Sequence, residues 1–218
     1  MGGGGFLSDP DSPLDELMLS LARRPRPRVV YLATATGDNP AGIVGFHEAF
    51  GGRNCEPVHV RLFGIPDRPA ETVAAADVVW VGGGNTANML AVWRLHGLDR
   101  ALRQAWEAGA VLGGVSAGAN CWFEACVTDS FSAELDGLRD GLGLLGGSFC
   151  PHYDGEERRR PVYRALVAHG FPAGIACDDF AAAWFEGTEL REIVASRPGA
   201  RGYRVDPDGE EPLETRLL

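Results

Sequence analysis

The sequence is short of several features that would settle its chemistry at once. No apolar run approaches the roughly 18 residues needed to cross a bilayer, and residues 1–5 carry neither the basic nor the apolar segment of a secretory leader. A myristoylation signal needs Ser or Thr where Phe6 stands, so lipidation at Gly2 has no support. Basic charge is scarce: 20 basic residues face 30 acidic ones, for a formal charge of −10. That balance disfavours non-specific binding to phosphate backbones and anionic membranes, so neither nucleic acid nor membrane is an expected partner. The five cysteines, Cys55, Cys121, Cys126, Cys150 and Cys177, are odd in number and lack zinc-ligand spacing. They read as reduced core thiols of a cytoplasmic protein. No internal repeat or low-complexity linker divides the chain, and 218 residues suffice for one sizeable core, so a single domain over 1–218 is expected. What is abundant is glycine: its 30 residues are about twice the usual share and call for many tight turns.

Apolar runs rich in β-branched residues alternate with helical patterns. Strands are expected at 28–33, 58–63, 77–81, 110–112, 148–150 and 174–177. Helices are expected at 41–50, 69–76, 86–95, 98–108, 119–125 and 161–169; the fourth of these has apolar residues at Leu98, Ala101, Leu102, Ala105 and Trp106 and stops at Gly109. Such alternation predicts an α/β fold, a mostly parallel sheet with helices on both faces. From Ala181 onward short alternating stretches and the turn Asp206-Pro207-Asp208-Gly209 predict an antiparallel C-terminal extension ending in a hairpin over about 200–218. The charged run Glu156 to Arg160 reads as a loop.

The chemistry starts at Gly113-Gly114-Val115-Ser116-Ala117-Gly118-Ala119, which follows an apolar strand and precedes a helix-compatible stretch. Glycines on either side allow a sharp turn with the Ser116 hydroxyl at its apex and the next N–H groups facing any oxyanion formed there. The plain alternative is a Gly-rich strand-to-helix turn with a small buried serine. Gly82-Gly83-Gly84-Asn85-Thr86 also follows a strand and opens a helix, so its N–H groups suit an oxyanion or a phosphate. It matches neither a Walker loop nor Gly-x-Gly-x-x-Gly, and close strand–helix packing would explain it equally. Both turns follow successive strands and should emerge on one edge of the sheet.

A serine nucleophile needs a base and a group to orient that base. Among five histidines His152 is favoured, because Cys150-Pro151-His152-Tyr153 closes a strand at the edge where ligands gather. His47, His96 and His169 fall on or at the ends of helices and His59 lies mid-strand, which suits structural roles. The pair Asp178-Asp179 closes the strand 174–177 and offers the orienting acid, with Asp129 as rival. His152 with Asp154 could begin a metal site, but no second ligand pair lies at helical or hairpin spacing, so no metal or other cofactor is expected.

Taken together, Val81 to Thr86, Gly114 to Asn120 and Pro151-His152 resemble, in order and across most of the chain, the peptidase E (aspartyl dipeptidase) family of serine peptidases. Even Gly3-Gly4-Gly5-Phe6 resembles the turn after the first strand in relatives, as if the chain begins just after, or without, that strand. The resemblance implies a fold similar to class I glutamine amidotransferases, with Ser116 as nucleophile, His152 as base and the N–H groups of Gly84 and Ala117 as oxyanion hole. It puts the acid at Asp179, where aspartyl dipeptidases carry Glu, so the loop must approach more closely or the histidine is poorly oriented. Gly155-Glu156-Glu157-Arg158 fits the context of the arginine that holds a substrate's N-terminal aspartate. Arg158 is therefore the expected substrate-binding residue, with Arg159 second and Asn85 beside it; a solvated basic run is the alternative.

The function expected from this resemblance is hydrolysis of small peptides, with N-terminal aspartate as the favoured residue. Alternatives are a cyanophycinase-like hydrolase and a ligand-binding domain with a disabled triad. A conventional α/β-hydrolase is disfavoured, since no histidine follows His169. Assembly, if any, is expected as a homodimer through a sheet edge or the tail.

Overall fold

The chain opens with a 3₁₀ turn at Gly5–Leu7 and helix α1 (Pro13–Ser20), whose proline lies in the first turn, where an N–H has no partner within the helix. In the computed structural model, which describes residues 1–218, the chain packs as two compact units, Gly5–Gly118 and Met1–Gly4 with Ala119–Leu218. The sequence carries no sign of that division.

The unit Gly5–Gly118 continues through β1 (Arg28–Leu32), α2 (Pro40–Gly51), β2 (Glu56–Val60), α3 (Pro69–Ala74), β3 (Val78–Val81), α4 (Thr86–His96), α5 (Leu98–Glu107) and β4 (Val111–Gly114). Its sheet is parallel throughout, in the order β2-β1-β3-β4. Parallel strands joined through helices are buried on both sides, and Val78–Val81 is buried at every position. Phe6 anchors an aromatic cluster here, with ring centroids 4.7–5.6 Å from Trp80, Tyr31 and Phe50. Fully buried Asp15 accepts the Trp80 indole N–H at 2.7 Å, with Arg53 at 3.9 Å from its other oxygen. The second strand runs Glu56–Val60 rather than over 58–63, and it ends early because the Asp38 carboxylate accepts the N–H groups of Leu62 and Phe63, drawing them out of the ladder.

Helix α6 (Ala117–Asn120) is a single turn. The helix expected at 119–125 is replaced from Phe123 by a strand. Phe123, Ala125 and Val127 are buried while Glu124 is exposed, and the buried Asn120 amide donates to the Val127 carbonyl at 3.1 Å, tying the turn to that strand.

The unit containing Ala119–Leu218 holds β5 (Phe123–Thr128), β6 (Asp136–Leu138), β7 (Leu145–Cys150), α7 (Arg159–Ala168), β8 (Gly174–Cys177), β9 (Ala181–Glu186), β10 (Glu189–Ala195), β11 (Gly202–Asp206), β12 (Gly209–Pro212) and β13 (Thr215–Leu217). Its larger sheet has the order β12-β11-β8-β7-β5-β6, parallel among β5, β7 and β8 and antiparallel outside them. Tyr153, Tyr163, Val167, Phe171, Ala176 and Val205 meet in its core. The hairpin β11–β12 turns at Asp206, whose carboxylate accepts the N–H groups of Asp208 and Gly209 at 2.9 and 3.0 Å. The expected antiparallel ending needs one correction: β13 leaves the hairpin and runs parallel to β10 in a separate sheet, β13-β10-β9. The run Glu156 to Arg160 is also only partly loop, since α7 begins at Arg159. No helix is long and apolar enough to cross a membrane.

Candidate active site

In the first unit two turns leave adjacent parallel strands at the same edge, because Val81 pairs with Gly114. The Val115 N–H donates to the Val81 carbonyl at 3.1 Å, and the chain then reverses at Ser116, which adopts φ 55°. A non-glycine residue in that left-handed region carries roughly 1–2 kcal/mol of strain. The glycines on either side serve a different purpose. A Cβ on Gly114 or Gly118 would overlap the Val81 carbonyl oxygen, so the turn packs backbone against backbone. Ser116 is half-buried, and Gly83 lies beside it: a Cβ there would sit 3.3 Å from the Ser116 Cβ and 3.8 Å from Oγ.

Gly84 has φ 134°, and a side chain on it would overlap Ala35, whose carbonyl accepts the Asn85 N–H at 2.9 Å. The expected substrate role of Asn85 meets a competing use: Asn85 caps α4, its Oδ1 accepting the Asn88 N–H at 2.8 Å. Ala117, buried, opens α6 directly after the serine.

In the second unit His152 and Asp179 meet with Nδ1 and Oδ1 2.6 Å apart. A carboxylate can only accept, so Nδ1 carries the proton and Nε2 keeps its lone pair, the tautomer a general base requires. The bond from His152 holds the Asp179 carboxyl below its ordinary value. Of the three candidate acids, Asp178 points elsewhere: it is buried and accepts the Arg201 N–H at 3.0 Å and the Tyr203 hydroxyl at 3.4 Å. Asp129 is exposed. His152, like Ser116, is left-handed, at φ 52°. Three of the other four histidines have structural partners, His47 and His59 each other at 2.8 Å and His169 the Ala165 carbonyl at 2.7 Å. Asp154 accepts the Asp179 N–H at 2.8 Å, and no cluster of three or more His, Cys, Asp or Glu is arranged to hold a metal ion.

Two glycines that the sequence does not connect to Asp179 let the backbone approach its carboxylate closely. A Cβ on Gly3 or Gly155 would overlap an Asp179 carboxylate oxygen, and a Cβ on Gly3 would also sit 3.2 Å from Cε1 of His152. Gly3 reaches this position by pairing with Asp179 as a parallel bridge, its carbonyl accepting the Phe180 N–H at 3.0 Å. The backbone therefore closes around the shorter acid. Long-range pairing of this kind leaves no trace in local spacing.

Each arginine of the basic run has an internal partner. Arg158 pairs with Glu134, both exposed. Arg159 is buried and donates to the Val127 carbonyl and to Glu156, at 3.1 and 2.7 Å, so it is structural rather than the second substrate candidate. Arg160 pairs with Glu210 and lies over the rings of Tyr153 and Tyr203.

A family model described as Peptidase family S51 matches residues 1–193. An uncharacterized peptidase, YgaJ, of Bacillus subtilis (strain 168) is 48% identical over 208 residues, which is 94% of this chain and 90% of that protein. Peptidase E of Citrobacter koseri is 35% identical over 126 residues, 51% of this chain and 53% of its own. Among solved structures, a peptidase from an acI-B1 actinobacterium superposes with a TM-score of 0.72 at 17% identity, over 99% of this chain and 92% of that one. A putative peptidase E from Listeria monocytogenes EGD-e gives 0.57 at 16% identity, over 81% and 90%. At such identities the solved structures speak to the α/β fold alone.

Proposed function

The chain belongs to peptidase family S51 and is accordingly a serine-type peptidase, and from that premise we propose that it cleaves small peptides by acyl transfer through Ser116, His152 and Asp179. The observation that carries this reading is the 2.6 Å bond between Nδ1 of His152 and Asp179, which frees Nε2 to act as a base. The sequence strengthens it: all 20 basic residues are arginine, and a chain without lysine cannot use a serine–lysine dyad.

In this mechanism the Ser116 oxygen attacks the peptide carbonyl carbon as its proton passes to Nε2 of His152. Asp179 stays ionised and stabilises the imidazolium that results. The N–H groups of Gly84 and Ala117 receive the oxyanion. Collapse breaks the C–N bond, and His152 returns the proton to the departing amine. Water then attacks the acyl-serine ester with His152 again as base, releasing the carboxylate and restoring the serine. The family match runs through both compact units, which supports treating them as one functional module. Five buried cysteines, none in a disulfide, suit a reducing, cytoplasmic setting.

Substrate choice is the finer part of the proposal. Arg158 is exposed and held by Glu134 in a surface ion pair, and such pairs contribute at most about 1 kcal/mol. A peptide with N-terminal aspartate can displace Glu134 and use the guanidinium fork. The same Glu134 contact favours a second reading, a peptidase indifferent to the charge of the first residue. A serine-directed fluorophosphonate tests the mechanism: an adduct on Ser116 that forms many-fold more slowly in His152→Ala supports it, and an unlabelled folded protein sinks it. Asp-X, Glu-X and Ala-X dipeptides test the clamp, since equal rates across them would reject Arg158.

A further inference from the structure

His152 holds a left-handed backbone that a residue with a side chain adopts only when its surroundings enforce it. The enforcement falls on the next residue. Tyr153 is buried, its N–H donates to the Cys177 carbonyl at 3.1 Å, and its hydroxyl donates to Glu210 at 2.6 Å. Glu210 belongs to β12, and it also takes Arg160 as a forked ion pair, with Arg164 at 4.0 Å. Burial pushes the Glu210 carboxyl up, and the bonds from Arg160 and Tyr153 outweigh it, leaving the carboxyl below its ordinary value. Arg160 in turn lies 5.3 and 4.9 Å from the ring centroids of Tyr153 and Tyr203. On the acid's side the arrangement repeats. Asp178, directly before Asp179, accepts the Arg201 N–H where the chain enters β11 and the hydroxyl of Tyr203 within that strand.

We propose that the β11–β12 hairpin is a clamp that sets the geometry of the His152–Asp179 pair, with Glu210 as its positioning residue. The hairpin grips one chain neighbour of each member, Tyr153 after the imidazole and Asp178 before the carboxylate. It lies beyond residues 1–193, the stretch matched by the family model, so in this chain the pair is braced from outside that stretch. Glu210 touches neither substrate nor reacting atoms; it acts through Tyr153. The inference rests on the His152–Asp179 reading above, and its test separates the two.

The test uses the full chain with Glu210→Gln, Tyr153→Phe, His152→Ala and the Glu210→Gln/His152→Ala double variant. Two quantities are read: the rate of fluorophosphonate labelling of Ser116, and the downfield proton resonance of the His152 Nδ1–H. Glu210→Gln should slow labelling about 10- to 100-fold and broaden or shift that resonance while the remaining amide spectrum keeps its dispersion. In the His152→Ala background the same change should cost less than about twofold, because a positioning residue has nothing left to position. An unchanged resonance with unchanged labelling overturns the clamp, as does an equal slowing in both backgrounds, which marks general loss of structure. If Glu210→Gln does not fold, Tyr153→Phe, which deletes one hydroxyl and keeps the ring, carries the same comparison. A different result, His152→Ala labelled as fast as the parent, overturns the triad reading itself.

Discussion

Ser116 and His152 solve the same backbone problem in different ways. Both hold a side chain in the left-handed region, at φ 55° and 52°. Around Ser116 the turn is held by main chain: Gly114 and Gly118 press against the Val81 carbonyl, and any side chain there would collide with it. Around His152 main-chain bonds, from the Tyr153 N–H to the Cys177 carbonyl and from the Glu156 N–H to the His152 carbonyl, are joined by a side-chain brace through Tyr153, Glu210 and Arg160. A backbone-packed turn demands glycine and tolerates nothing else. A side-chain brace tolerates partial replacement, so its failure should be graded, and it draws on residues far apart in sequence.

Four measurements would break or sharpen that contrast. Gly118→Ala drives a Cβ into fixed backbone, so it should cost at least about 3 kcal/mol and abolish Ser116 labelling, visible as a large drop in melting temperature. Gly3→Ala and Gly155→Ala introduce the same atom against the movable end of Asp179. They should lower peptidase activity about 10- to 100-fold with only a small shift in melting temperature. A large loss of stability in these variants would remove the distinction between the two kinds of support.

Each unit also buries one carboxyl that burial pushes up to about 6 from 3.8, Asp15 in one and Asp178 in the other, the latter with help from nearby Asp154. The folded protein therefore binds these protons more tightly than the unfolded chain, and stability should fall as the pH rises from about 4 to about 6. Each group contributes on the order of 1–3 kcal/mol to that fall. Asp15→Asn should flatten the pH dependence and leave labelling of Ser116 alone; Asp178→Asn should flatten it and slow labelling, since its partner is the clamp. Unfolding midpoints between pH 4 and 7 decide this. Last, Ser116→Gly should unfold at a higher temperature, by about 1 kcal/mol of relieved strain, while losing all labelling. A variant no more stable than the parent would show that the turn stores no strain.

The same contrast explains what could be read from the sequence. The elbow and the turn after β3 were legible because close backbone approach requires glycine, and glycine clusters after β-branched runs are visible locally. Their shared edge followed from parallel alternation and appears as the Val81–Gly114 pair. His152 and Asp179 were legible as strand-end residues and by resemblance. Tyr153, Arg160 and Glu210 were not, because an ion pair spanning 50 residues has no period to detect. Gly3 was visible as a glycine but not as a neighbour of Asp179. Ala119 to Ala125 fits a helix in the sequence although Phe123–Thr128 is a strand, because a short apolar stretch is a pattern that periodicity alone cannot assign.

The five cysteines give the folded protein one more property. All are buried, Cys55 the most accessible at 3% and the others at 0%, and burial raises each thiol above its ordinary value. The native molecule thus offers almost no thiolate to a maleimide, whereas every opening of the chain does. Cys55 sits in one unit and Cys121, Cys126, Cys150 and Cys177 in the other. Alkylation followed residue by residue would therefore time the opening of each unit separately, with clocks already built into its core.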